Sequence, residues 1–246
     1  MALKVITFDL DNTLWDVMPA LLRAEDAQRR WLTQYRPGVM EDIGHEALWA
    51  LKKKLWKAHP ELSHNVSAMR KLLLSELQLA AGYTPQEAQA GAEGAFGAFL
   101  EERQRVEIYA EALQVLESLA DRYCLGALTN GNADVYKTDA GEHFDFAFLA
   151  EEIGASKPAP DMFHAALECT GASPGEVLHV GDNPEHDVLG ALRVGMHAVW
   201  VNAEGESWSA VANAKGHAPH GIIRHIRELP DAVVSLEEHL AQRGVS

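Results

Sequence analysis

The sequence predicts an α/β fold: a parallel sheet with helices on both faces, interrupted after its first strand by a long α-helical insertion. Three observations carry this expectation. Short β-branched or apolar runs alternate with helical patterns beyond residue 106, residues 16–106 have helical spacing throughout, and one strand-like run precedes that block. Strands joined through helices pair in parallel, and a parallel sheet is covered on both faces.

The first strand is read at residues 4–8, where a β-branched and apolar run ends abruptly in carboxylates. Within 16–106, apolar residues recur at three- and four-residue spacing, as at Leu21, Leu22, Trp31, Leu32 and Tyr35 before the stop at Arg36-Pro37-Gly38. Thr84-Pro85-Gln86-Glu87 is a capping box with proline at the first helical position, which places a helix at about 85–104. After residue 106 the expected order is a helix at 110–122, strands at 125–129 and 146–150, and a helix at 161–170. A strand at 177–180, a helix at 184–194, a strand at 198–201 and a last helix after Pro230 follow, the tail from Val211 being mixed in His and Gly. The chain enters the helical block near residues 14–17 and leaves it near 105–110. The expected domains are therefore 1–15 with 107–246 as the core and 16–106 as an α-helical cap, a two-linker insertion able to act as a lid.

At 246 residues and 47% apolar, the chain can bury a substantial core. Its formal charge of -15 argues against nucleic acid and against an anionic membrane as partners. An anionic substrate would need a local positive centre. Cys124 and Cys169 lack metal-ligand spacing and read as buried thiols, which with the absence of an apolar span or export signal points to the cytoplasm. Oligomeric state, monomer or homodimer, is left open.

Ligands of open parallel sheets sit beyond the carboxyl ends of the strands, and short polar clusters fall there. They are Asp9-Leu10-Asp11, Thr129-Asn130-Gly131-Asn132 and Gly181-Asp182-Asn183 through Asp187, with Ser156-Lys157-Pro158 in a loop between. Asp9 and Asp11 can address one reacting centre, one as nucleophile and the other as acid and base. Asp9, Asp11, Asp182 and Asp187 gathered at one sheet edge would repel one another unless a cation bound there, and hard oxygen donors without a His or Cys cluster suit Mg²⁺. Lys157 would add positive charge to hold a phosphate, with the Thr129 hydroxyl and the N–H groups around Asn130 and Gly131 as an oxyanion cradle.

The order DxDxT, hydrophobic-Thr-Asn, Lys-Pro and GDxxxxD, with a helical insertion after the first motif, resembles the haloacid dehalogenase superfamily from Val5 to about Glu228. That resemblance implies a Rossmann-like core with an inserted cap, in which Asp9 forms an aspartyl-phosphate. Asp11 would protonate the leaving oxygen and then activate water, Thr129 and Lys157 would bind the phosphoryl group, and Asp9, the Asp11 carbonyl and Asp182 would hold Mg²⁺. Asp187, and Asn183 beside the metal corner, would act from behind these groups. Residues 8–15, 128–132 and 178–182 are similar to bacterial phosphatases of flavin mononucleotide and ribitylaminouracil phosphate, which implies a small phosphomonoester as substrate.

Blander readings stand beside these. Asp9, Asp11, Thr129 and Asp182 are also turn and cap residues, and Lys157 and Asp187 are also ordinary solvated charges, but their joint order favours chemistry. His179 and His186 read as a packed strand residue and a helix residue. Trp15, next to the first motif, is a candidate substrate contact, ahead of Trp49, Trp56 and His64; Arg29, Arg30 and residues 52–54 read as solvated helix faces. A 2-haloacid dehalogenase, a phosphotransferase or mutase, and a non-catalytic phosphate-ligand regulator are the rivals. The acid at Asp11 disfavours the dehalogenase, because a departing halide needs no proton.

Overall fold

The computed structural model describes residues 2–40, 44–211 and 217–243. Residues 41–43 of the stretch expected to be helical, and 212–216 of the His- and Gly-containing tail, lie outside the described residues. In chain order the elements are β1 (Val5–Phe8), α1 (Val17–Tyr35), α2 (His45–Ala58), α3 (Val66–Ala80), α4 (Pro85–Arg103), α5 (Ala110–Ala120), β2 (Cys124–Thr129) and β3 (Phe146–Leu149). Then come α6 (Ala150–Ile153), α7 (Asp161–Thr170), β4 (Val177–Gly181), α8 (Gly190–Arg193), β5 (His197–Val201), α9 (Trp208–Val211), β6 (Gly221–Ile223) and α10 (Leu229–Arg243). Contacts divide the chain into one unit of Met1–Asp16 with Glu107–Ser246 and a second of Val17–Val106.

In the first unit all strands pair in parallel, in the order β3-β2-β1-β4-β5-β6. Connections run outward from β1 in both directions, and right-handed crossovers therefore lay helices on both faces, giving the Rossmann-like fold. The reversal of strand order falls between β1 and β4, so the carboxyl ends of these two strands flank the switch-point crevice. The central strands are apolar on both faces, and Leu128, Met162, Phe163, Val188 and Trp200 belong to one buried cluster. β6 escaped the sequence reading: three residues are too few to show a period, and the pairing of Gly221 with Val199 and Ile223 with Val201 is what makes them a strand.

The second unit has its own core, in which Leu32 of α1, Leu74 and Leu77 of α3 and Phe96 and Phe99 of α4 are buried together. The capping box at Thr84 and Glu87 is formed, with Glu87 N–H donating to the Thr84 hydroxyl and Thr84 N–H to the Glu87 carboxylate. Small residues on α4 admit its neighbours closely: a Cβ at Gly94 would lie 2.2 Å from the Trp31 ring. Trp49 and Trp56 on α2 are exposed.

Two expectations change. Both cysteines are free, but Cys169 is exposed and only Cys124 is partly covered, where burial first, then the neighbouring Asp145, pushes its thiol up to about 12. The helix expected at 184–194 is instead a wide π-type turn at Pro184–Leu189 followed by the single turn of α8. Asn183 causes the widening locally, since its carbonyl accepts from both Asp187 N–H and Val188 N–H, and its side chain caps Glu185 and His186 N–H. No described helix is long and apolar enough to cross a membrane.

Candidate active site

The chain leaves β1 still zipped to its neighbour, Asp9 N–H donating to the Val180 carbonyl at 2.8 Å, so the Asp9 carboxylate is set by the sheet itself. The next residues fold back tightly. Asn12 takes φ +60°, a conformation asparagine tolerates better than most side chains, its N–H donates to the Trp15 carbonyl, and Leu14 N–H donates to that of Leu10. This hairpin-like return brings the Trp15 indole N–H 2.7 Å from Asp11 Oδ1. Trp15 was expected to touch substrate. Its ring is fully buried, 0% exposed, and it orients Asp11 instead.

Thr129 ends β2, and its hydroxyl oxygen accepts from Gly131 N–H at 3.0 Å. That N–H is directed at the Thr129 oxygen, which leaves the hydroxyl hydrogen to donate. The Asn130 side chain has a further part. Its amide donates to the Lys157 carbonyl at 2.9 Å and accepts from Lys157 N–H at 2.8 Å, so both polar ends fasten the loop that carries the lysine.

The lysine is almost wholly buried, and its ammonium has three acceptors: Asp9 Oδ1 at 2.8 Å, Asp187 Oδ1 at 2.6 Å and the Leu128 carbonyl. Burial acts to lower its pKa, but the charges of Asp187 and Asp9 outweigh it and hold the ammonium above its ordinary value. Burial likewise acts to raise Asp187, yet Lys157 and then His179 keep that carboxyl well below the usual range. Asp9 goes the other way: burial, with Asp187 and Asp182 nearby, lifts it well above its ordinary value despite Lys157. Asp182, at the end of β4, is pushed up to about 7 by burial and by Asp187.

Carboxylate oxygens of Asp9, Asp182 and Asp187 lie within 4.8 Å of one another. Asp187 is already committed, Oδ1 to Lys157 and His179 and Oδ2 to Asn183 N–H at 2.9 Å. Asp9 and Asp182, whose pKa values are raised by burial and then by neighbouring carboxylates, also face this corner, and all the donors are hard oxygens. The residues present therefore fit a hard divalent cation. A cavity of 180 Å³ opens here, lined by Asp9, Asp11, Asn12, Thr129, Asn130, Gly131, Lys157, Asp182, Asn183, His186 and Asp187. It gathers Asp9, Asp11, Thr129, Asn130, Gly131, Lys157, Asp182, Asn183 and Asp187 of the expected residues, while Trp15, Trp49, Trp56 and His64 do not line it.

Two contributors were not legible as such. Asn12 shapes the return loop, and its one available signal was the tolerance of asparagine for positive φ. His179, read as packing, lies against Asp187 Oδ1 at 3.3 Å and Thr7 Oγ1 at 2.8 Å; nothing in strand periodicity marks such a contact.

Comparison with known proteins agrees with the fold. The family model of haloacid dehalogenase-like hydrolases matches residues 3–195. The chain is 37% identical over 202 residues to the 5-amino-6-(5-phospho-D-ribitylamino)uracil phosphatase YigB of Escherichia coli (strain K12), covering 82% of this chain and 84% of that one. It is 37% identical over 169 residues to a phosphoserine phosphatase of Thermus thermophilus, covering 66% of each. The crystal structure of a 2-haloacid dehalogenase from Pseudomonas syringae pv. Tomato DC3000 superimposes with a TM-score of 0.88 at 38% identity, covering 95% of this chain and 99% of that one. With the family model spanning most of its length and such relatives aligned across it, the chain belongs to the haloacid dehalogenase-like hydrolase family.

Proposed function

We propose that this hydrolase cleaves a small-molecule phosphomonoester with Mg²⁺, through a phosphate ester of Asp9. The observation that carries the reading is the joint placement of Asp9, fixed by Lys157, and Asp11, fixed by Trp15, on one 180 Å³ cavity. Lys157 donates to one carboxylate and orients it for attack, and the Trp15 indole orients the other for proton transfer.

In this reading Asp9 attacks phosphorus while Asp11 donates a proton to the departing oxygen; Asp11 then takes a proton from the water that releases phosphate. Lys157 neutralises charge on the phosphoryl oxygens, and the Thr129 hydroxyl donates to one of them. Asp9, Asp182 and the Asp11 carbonyl would hold Mg²⁺, which when bound supplies charge neutralisation to the carboxylates and the phosphoryl group. Asn130, Asn183 and Asp187 position these groups from behind.

The substrate we infer is 5-amino-6-(5-phospho-D-ribitylamino)uracil or flavin mononucleotide, ahead of sugar phosphates and nucleoside monophosphates. The 37% identity to YigB across 84% of that enzyme supports the first of these. The second reading is a 2-haloacid dehalogenase, favoured by the resemblance to the Pseudomonas protein so described. The acid at Asp11 weighs against it. Phosphate and chloride release should be measured in parallel with Mg²⁺, on a panel of phosphomonoesters and on 2-chloropropionate. We expect phosphate only, abolished in Asp9→Asn and reduced at least ~100-fold in Asp11→Asn. Chloride release, or full activity in Asp9→Asn, would refute the mechanism.

A further inference from the structure

We infer that His179 is a positioning residue for the reaction: its imidazole, set in one tautomer by Thr7, anchors the Asp187 carboxylate that aims Lys157 at Asp9. The kinetic part of this inference rests on the phosphatase reading; the geometric part does not.

His179 stands in the middle of β4, directly paired with Thr7 on β1 and Ala198 on β5. It is 1% exposed, with the Phe163 ring packed edge-on at 5.2 Å. An apolar residue would fill this place more cheaply, since a buried imidazole must satisfy both ring nitrogens. Both have partners: Thr7 Oγ1 lies 2.8 Å from Nδ1, and Asp187 Oδ1 lies 3.3 Å from Nε2.

Two neutral tautomers are conceivable, and the surroundings separate them. With the proton on Nδ1, the Thr7 hydroxyl must donate to the Leu178 carbonyl at 3.4 Å, and the bare Nε2 lone pair faces a carboxylate oxygen. That contact is repulsive. With the proton on Nε2, the imidazole donates to Asp187 and Nδ1 accepts from the Thr7 hydroxyl at the shorter distance. The second arrangement satisfies every group.

Asp187 is then gripped by three donors: Lys157 Nζ and His179 Nε2–H on Oδ1, and Asn183 N–H on Oδ2. The backbone closes the remaining side, because a Cβ at Gly181 would sit 2.3 Å from the Asp187 carboxyl carbon. Removing the His179 donor frees this carboxylate to rotate about its contact with Asn183. Lys157 shares the same oxygen, so its ammonium shifts away from the place where negative charge grows on the phosphoryl group. The loss belongs in kcat more than in KM, since a misaimed charge still attracts phosphate but fits the transition state less well.

The test uses the full chain with Mg²⁺ and p-nitrophenyl phosphate, comparing His179→Leu with His179→Gln, whose amide N–H reaches for the same carboxylate oxygen. We expect His179→Leu to lower kcat ~10-fold with KM within ~2-fold, and His179→Gln to recover most of that loss at a similar melting temperature. Nitrogen-15 NMR of the imidazoles in the wild-type chain should show His179 as the neutral Nε2–H tautomer, and Thr7→Val should weaken that preference. Equal kcat for Leu, Gln and wild type, equal losses in Leu and Gln, or an Nδ1–H tautomer would overturn the inference. A wild-type chain without phosphatase activity would refute the reading of the reaction, and the tautomer would still decide the arrangement around His179.

Discussion

A lysine ammonium in a protein interior must have its three N–H groups accepted, and around Lys157 the acceptors come from three separate elements: Asp9 after β1, Leu128 in β2 and Asp187 in the π-type turn. The charge is thus fixed by tertiary structure, and its loop by Asn130. Because Asn130 holds Lys157 through its backbone and not its charge, Asn130→Ala removes no catalytic atom. It leaves the Lys157 N–H and carbonyl without their amide partner. We expect phosphate release to fall ~10-fold, with binding of inorganic phosphate weakened less, as measured by steady-state kinetics and calorimetric titration.

Among the elements, the turn after β4 shows how local geometry serves the site. Its widening at Asn183 lets the Asp187 side chain turn back toward the strand it follows, and only glycine at 181 leaves room for that carboxylate. Gly181→Ala should therefore lower kcat by an order of magnitude or more, because the new methyl displaces Asp187 and with it Lys157; a rate equal to wild type would contradict the close approach. In the helical unit the corresponding local device is the capping box of α4. Thr84→Ala should cost ~1 kcal/mol in a denaturant titration while leaving the kinetics of the core residues unchanged.

Over the whole molecule, acids exceed bases enough to give a formal charge of -15, and part of that excess converges on the edge between β1 and β4. A cation bound there should stabilise the folded chain by mass action. At 100 times its dissociation constant the gain is ~2.7 kcal/mol, seen as a rise in melting temperature on adding Mg²⁺ after EDTA treatment and abolished in Asp182→Asn. Protons compete for the same carboxylate. Burial and Asp187 put Asp182 at about 7, so the proton-bound form gains as pH falls through that value and the cation must displace it. The half-saturating Mg²⁺ concentration should accordingly rise between pH 8 and pH 6; a flat dependence would refute the competition.

The sequence by itself determined the alternation that makes a parallel sheet, the helical pattern of the insertion, and the order of the polar clusters at strand ends, because periodicity and turn chemistry are local properties. Helix α4 with its capping box and helix α7 were readable to within a residue or so for that reason. β6 was not, since three residues become a strand only by pairing with β5. Nor were the parts that individual residues play around the cavity. That Trp15 orients Asp11, that Asn130 clips the lysine loop and that His179 stands behind Asp187 are facts of contact across 4, 27 and 8 residues, and the Asp9–Lys157 pair that they surround closes across 148. Spacing along the chain carries no record of them; strand order brings them together, and burial then forces each polar atom to find its partner.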